Sequence, residues 1–249
     1  MTLIPICGDG PRRQRLNTQM LFNSLRELKS NSIHLFDVQV TQDVLDALSL
    51  SYFDFIFLEQ HGVLRDEEWP DYIKIAAKIS NCNISDHVVI VVPYTHDDSI
   101  QQNRHILNKF STTLNTTLSD ISKFYLEVVI NNKDIDDQLL HYGELISHFL
   151  DVSFVGLPYS CNRELLIQTI HDLYNPQDKS STYPKMHLFG LKSEFDIDDG
   201  EFENFLPEMR DQIAFISSGK FYPVSSNKRS NDYYQCLRKW YAWANTHTL

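Results

Sequence analysis

The chain is dominated by an alternation of short apolar runs with longer amphipathic segments. Between most of the short runs, apolar residues recur at spacings of three and four, as they do on one face of a helix. The short runs are rich in β-branched and aromatic residues and are predicted strands: 3–7, 32–40, 53–59, 87–93, 123–130, 152–158, 185–191 and 212–217. Strands that alternate with helices form parallel sheets with right-handed crossovers, so the pattern predicts an α/β fold.

Eight such units within 249 residues favour closure of the sheet into a (β/α)8 TIM barrel, a single domain over residues 1–249. No linker rich in Pro, Gly or Ser divides the chain. The weakest unit is the connection at 41–50, which is short for a helix. The alternative fold is therefore an open, doubly wound sheet.

Charge and composition narrow the class of protein. The formal net charge of -11 opposes non-specific binding to nucleic acid, although a local basic patch can override that average. The four cysteines are scattered without a CxxC pair, which is typical of reduced thiols in a cytosolic protein. No signal-peptide pattern is present and no apolar run reaches the ~18 residues of a membrane span. We therefore expect a cytoplasmic protein with no membrane contact.

Acidic side chains follow the first three predicted strands, on the face where α/β barrels carry their active sites. They are Asp9 after the first strand, Asp37 in the second and Glu59 at the end of the third. One of these three acids could act as base or nucleophile. A second one could act as the acid if a neighbouring residue raises its pKa. For each residue alone, the alternative is a loop cap or a solvated charge.

A further acid is predicted inside the barrel. Successive side chains of a strand point to opposite faces, and in the fifth strand this turns Tyr125, Glu127 and Val129 into the lumen. The same alternation points His187 of the seventh strand inward, near Glu127. A carboxylate in that position must be paired, neutralised or used in chemistry. The alternative is a buried His–Glu pair that only holds the barrel together.

Basic residues gather near the same face. In a closed barrel the first and eighth strands are neighbours, and phosphate sites commonly lie near the loops after strands seven and eight. We therefore predict an anion site, for a phosphate or a carboxylate; the alternative is a solvated basic loop. Its candidate residues are Arg12, Arg13, Arg15, Arg163, Lys192 and Lys220.

A metal centre is the weaker interpretation of the polar rim. His61 and His96 could hold a divalent metal together with the acids. The chain lacks the HxH after the first strand that amidohydrolase-like barrels use, and the cysteine triplet of radical S-adenosylmethionine barrels. We therefore expect neither a metal nor a cofactor.

Three segments in the second half of the chain carry a family resemblance. VGLPYSCNRELL, YPKMHLFGL and IAFISSG resemble the corresponding part of tRNA-guanine transglycosylase-like barrels, particularly the divergent phage forms related to DNA deazaguanine transglycosylases. Such barrels exchange a nucleobase through an aspartate nucleophile and a second acid, which implies a nucleoside or nucleotide pocket at the rim. The zinc-binding Cys/His cluster and the Asp-Ser-Gly motif of that family have no counterpart here, and the third strand ends in Glu-Gln-His-Gly instead.

Two classes of function follow. The first is an enzyme that acts on a nucleoside, nucleotide or nucleic-acid base by glycosyl transfer or hydrolysis. The alternative is a non-catalytic barrel that binds a phosphorylated ligand or a protein partner, in an accessory or inhibitory role.

Overall fold

The computed structural model describes residues 2–5, 17–62, 65–94, 100–130, 152–158, 185–189 and 213–218. These residues contain eight strands. In chain order the strands are β1 (Thr2–Pro5), β2 (Ser32–Phe36), β3 (Phe53–Glu59), β4 (Ser85–Val91), β5 (Phe124–Val129), β6 (Val152–Pro158), β7 (Lys185–Phe189) and β8 (Ile213–Ser218).

The eight strands form one sheet in which every pair is parallel. The order is β1-β8-β7-β6-β5-β4-β3-β2, so strands that follow one another in the chain are neighbours, apart from β1 and β2. The described residues show no ladder between β1 and β2, but these two strands are in contact. The sheet is therefore a nearly closed barrel, as predicted. Its sequential order excludes the alternative of a doubly wound sheet, in which the order reverses.

Four helices are described between the first five strands: α1 (Thr18–Leu28), α2 (Gln42–Leu48), α3 (Trp69–Asn81) and α4 (Ile100–Thr117). Helix α1 begins at Asn17, whose side chain accepts a hydrogen bond from the Met20 N–H, and ends at Lys29 in the left-handed conformation. Helix α2 fills the connection that the sequence marks as short. The Thr41 side chain caps this helix of two turns by accepting a hydrogen bond from the Val44 N–H, which would otherwise lack a partner within the helix.

Two apolar layers lie on opposite faces of the sheet. Ile56, Leu58, Val88 and Ile90 point outward and pack with the buried faces of the helices. The inward-facing layer is a separate cluster in the lumen, formed by Ile4, Phe57, Val89, Phe154 and Phe215. The alternation predicted for the fifth and seventh strands agrees with these layers, because Leu126, Val128, Met186 and Leu188 lie in the outer one.

The second strand is shorter than predicted. Residues 32–40 suggest one continuous strand, but β2 stops at Phe36 and Asp37–Gln39 form a 3-10 turn. The Gln39 side chain accepts from the Phe36 N–H, and the Asp37 carboxylate accepts from the Val38 N–H. Local side-chain bonds of this kind compete with the sheet ladder and end the strand.

Three of the amphipathic segments that the sequence predicts as helices, 136–150, 163–174 and 231–245, lie outside the described residues. Among the helices that the structure does describe, none has the length and apolarity needed to cross a membrane.

Candidate active site at the barrel rim and in its lumen

The deepest polar group of the barrel is a chain of three side chains from three strands. Glu127 of β5 lies 2.9 Å from His187, measured from Oε2 to Nδ1. The other ring nitrogen of His187, Nε2, lies 2.8 Å from the Ser217 Oγ of β8. The predicted inward orientation of Glu127 and His187 is confirmed, and Ser217 is an additional member that the sequence pattern does not single out.

This chain is fully enclosed. Glu127, His187 and Ser217 each have 0% of their surface exposed. Phe57 and Phe215 flank the imidazole, with ring centroids 4.7 and 6.0 Å from that of His187. An aromatic environment of low dielectric strengthens each of these hydrogen bonds and makes an unpaired polar group expensive.

One oxygen of Glu127 is not satisfied. Oε1 is buried and has no hydrogen-bond partner among the described residues, while Oε2 is held by His187. An ionised carboxylate is an acceptor only. The lumen therefore presents an acceptor to any donor that reaches it.

A second acid lies where β3 ends. The Glu59 Oε1 accepts a hydrogen bond of 3.0 Å from the Tyr94 hydroxyl. His34 approaches the other oxygen, with Nε2 2.9 Å from Oε2, but its N–H is not directed for a hydrogen bond. The two side chains are therefore in close contact without a directed hydrogen bond, and both nitrogens of the buried His34 lack a hydrogen-bond partner among the described residues.

Asp37 lies beside Glu59 at the same rim. Its Oδ1 accepts from the backbone N–H of His61 at 2.8 Å, which ties the turn after β2 to the segment after β3. Burial raises the pKa of Asp37, and the negative charge of Glu59 raises it further, against the lowering effect of the Val38 and His61 N–H groups. The rim therefore brings together two carboxylates in different environments.

Gln60 and His61 complete the described part of the rim. The Gln60 side-chain amide donates to the Tyr94 carbonyl over 3.4 Å, and its own carbonyl oxygen is buried without a partner among the described residues. The His61 ring lies edge-on to Phe36, with centroids 6.3 Å apart. The partly exposed groups of this rim are therefore the Asp37 carboxyl, the His61 imidazole and the Tyr94 phenol.

Tyr72 of α3 supports the rim from outside the sheet. Its hydroxyl lies 2.6 Å from the Leu58 carbonyl and 2.8 Å from that of Val91, at the carboxyl ends of β3 and β4. Burial raises the pKa of Tyr72 well above its usual value, and the negative charges of Glu59 and Asp37 add to the rise. The phenol therefore remains a neutral donor that holds the two strand ends in position.

The structure places only part of the predicted site. Asp37 and Glu59 meet at the rim, and Glu127 and His187 meet in the lumen. His61 enters the rim through its backbone, and the described residues contain no group of three or more His, Cys, Asp or Glu side chains able to hold a metal. The remaining candidates lie outside the described residues: Asp9, His96, Arg12, Arg13, Arg15, Arg163, Lys192 and Lys220.

Among the side chains that contact Glu59 or His187 directly, His34, Tyr94 and Ser217 are additional to the predicted set. Alternation along β2 could have indicated His34, because it places His34 on the same face as Phe36. In the structure the His34 and His187 ring centroids are 5.9 Å apart. The sequence carries no periodic signal for Tyr94, which lies beyond the end of β4. Ser217 is predicted at a strand end, but β8 continues to Ser218 and holds Ser217 inside the barrel.

No protein-family model matches the sequence of the chain, and no curated protein matches it significantly.

Proposed function

We propose that the chain folds as a single-domain (β/α)8 barrel, residues 1–249, that acts on a nucleoside, nucleotide or nucleic-acid base by glycosyl transfer or hydrolysis. The observation that carries the proposal is the meeting of Asp37 and Glu59 at the carboxyl ends of β2 and β3. Reactions at a glycosidic carbon use two such acids in different roles. The resemblance to phage transglycosylase-like barrels supports the choice of a nucleobase-bearing substrate.

The two carboxylates suit different roles. Asp37 has a raised pKa, so it keeps its proton to a higher pH and can protonate a leaving base as general acid. Glu59 receives a hydrogen bond from Tyr94 and faces the His34 ring, which places it to act as base or nucleophile. Tyr94 and His34 would position Glu59, while Glu127 and His187 lie deeper, below the reacting atoms.

The predicted basic residues would hold the substrate's phosphate. Arg12, Arg13, Arg15, Arg163, Lys192 and Lys220 offer the positive charge that the described rim lacks. By binding the phosphate of a nucleotide, these basic residues would position the substrate. Its sugar–base bond would then lie next to Asp37 and Glu59.

The first experiment is a thermal-shift screen of the full chain against nucleobases, nucleosides and nucleotides, followed by a turnover assay on each ligand that raises the midpoint. Glu59→Gln should lower kcat/KM by about 10²-fold or more, because it removes the base without removing the side chain. Glu27→Gln, a matched change on the exposed face of α1, should leave kcat/KM unchanged.

The outcomes separate enzyme from binding protein. Product formation that depends on Glu59 supports the proposed reaction. A ligand that binds to both variants equally and is never converted would favour the non-catalytic barrel, which takes a phosphorylated ligand or a protein partner.

A further inference from the structure

The connectivity of the lumen chain matches that of a nucleophilic serine centre. In such centres an acid lies on one imidazole nitrogen and a hydroxyl on the other, with each pair at hydrogen-bond distance. Here Glu127 lies 2.9 Å from Nδ1 of His187 and Ser217 lies 2.8 Å from Nε2. We propose that Ser217 is a nucleophile, activated by His187 and Glu127, that forms an ester with an acyl group.

The direction of the hydrogen bonds follows from the acceptor properties of the carboxylate. A carboxylate has no proton to donate, so with Glu127 in the carboxylate form Nδ1 of His187 is the donor of this pair. Nε2 of the neutral ring is then an acceptor, and the proton between His187 and Ser217 belongs to the hydroxyl. This is the tautomer in which an imidazole can remove a serine proton.

The lumen also defines the chemical class of the substrate. Phe57 and Phe215 flank His187, and Phe154 lies 5.3 Å from Phe215 between ring centroids. The described rings around His187 are therefore aromatic, which suits a small apolar acyl group. Ser217 is the next-to-last residue of β8, close to the carboxyl end of the strand. The ester would therefore enter from the end of the barrel at which Asp37 and Glu59 lie.

The proposed reaction consumes the ester and one water molecule. The Ser217 oxygen bonds to the carbonyl carbon of the ester, and its proton passes to Nε2 of His187. The bond from that carbon to the leaving alcohol breaks, and His187 returns the proton to the alcohol. Glu127, as a carboxylate, stabilises the charged ring. Water then attacks the acyl-serine by the same route, which releases the carboxylic acid and restores the Ser217 hydroxyl.

The burial of Ser217 lowers the rate of acylation that we expect. Ser217 has no exposed surface, so an ester must displace side chains at the mouth before it reaches the hydroxyl. Reaction should therefore be slow, and it should require the folded protein, because only the fold brings His187 to Ser217. A serine that serves only as a hydrogen-bond partner would not react at all.

The test uses a fluorophosphonate, which attaches to activated serines with loss of fluoride, and p-nitrophenyl acetate as the ester. The full chain should gain one adduct, mapped to Ser217 by peptide mass spectrometry, and should release nitrophenol. Ser217→Ala should abolish both, while Ser218→Ala, which removes the adjacent hydroxyl, should retain both. Urea-unfolded protein should not be labelled.

Two results would overturn the proposal: no adduct on the folded wild-type chain, or an adduct that maps elsewhere and persists in Ser217→Ala. Circular dichroism of Ser217→Ala is the control for folding of the variant. The proposed reaction at the rim uses neither Ser217 nor an acyl-serine, so each proposal can fail while the other stands.

Discussion

The described part of the barrel contains two His–Glu pairs with the same separation and different surroundings. In both pairs a ring nitrogen lies 2.9 Å from a carboxylate oxygen. Glu127 and His187 have 0% exposed side chains, whereas Glu59 keeps 11% of its side chain exposed beside a buried His34. The lumen pair continues to a serine hydroxyl, and the rim pair continues to the phenol of Tyr94.

The difference arises from the position of each acid along its strand. Glu127 is followed by two more residues of β5, and Val129 lies above it in the lumen. Glu59 is the last residue of β3, so beyond it the backbone leaves the sheet. The same two residue types thus give a directed, hydrogen-bonded chain inside the lumen and a close contact without a directed hydrogen bond at the rim.

The largest difference between the two pairs is expected in the loss of unfolding free energy when the histidine of each pair is replaced by alanine. His187→Ala leaves Glu127 charged and without its partner in an enclosed lumen, so it should destabilise the fold by about 3 kcal/mol or more. His34→Ala removes a contact that is not a directed hydrogen bond, next to a partly exposed acid, and should cost less. Urea denaturation of both variants measures the difference, and equal losses would contradict the assigned contrast.

A smaller effect is expected from the phenol at the rim. Tyr94→Phe removes the donor to Glu59 Oε1 in a partly buried setting, and should lower the free energy of unfolding by about 1 kcal/mol. On the proposed function it should also lower turnover, because Glu59 loses a group that orients it. The control is Tyr52→Phe, which removes an exposed hydroxyl bonded to Asp86 far from the lumen pairs. Turnover that falls equally in both variants would remove Tyr94 from the site.

The two pairs also differ in how far the sequence predicts them. Period-two alternation places Glu127 and His187 on the lumen face, and lumen-facing residues of β5 and β7 can meet across one intervening strand. The contacts at the rim depend on the chain after each strand has ended. The bond from the His61 N–H to Asp37, and the return of Tyr94 to Glu59, follow from turn geometry, for which hydrophobic periodicity carries no signal.

The smallest effect, and the one that tests the rim charges directly, is the pH dependence of Asp37→Asn. The pKa of Asp37 is raised in the folded state, so the folded chain holds this proton more tightly than the unfolded chain does. Stability therefore falls as the pH rises from the ordinary value of 3.8 through the raised folded-state pKa. Asparagine keeps the acceptor for the Val38 and His61 N–H groups and carries no charge.

Asp37→Asn should consequently be slightly more stable than the wild type at neutral pH, and this difference should vanish below the ordinary aspartate pKa. Urea denaturation over a pH series checks the sign, with Asp43→Asn on the exposed start of α2 as the matched control. The gain should shrink in a Glu59→Gln background, because part of the rise in the pKa comes from the charge of Glu59. A gain that is unchanged in that background would show that burial alone sets the pKa, and that the two rim carboxylates do not interact electrostatically.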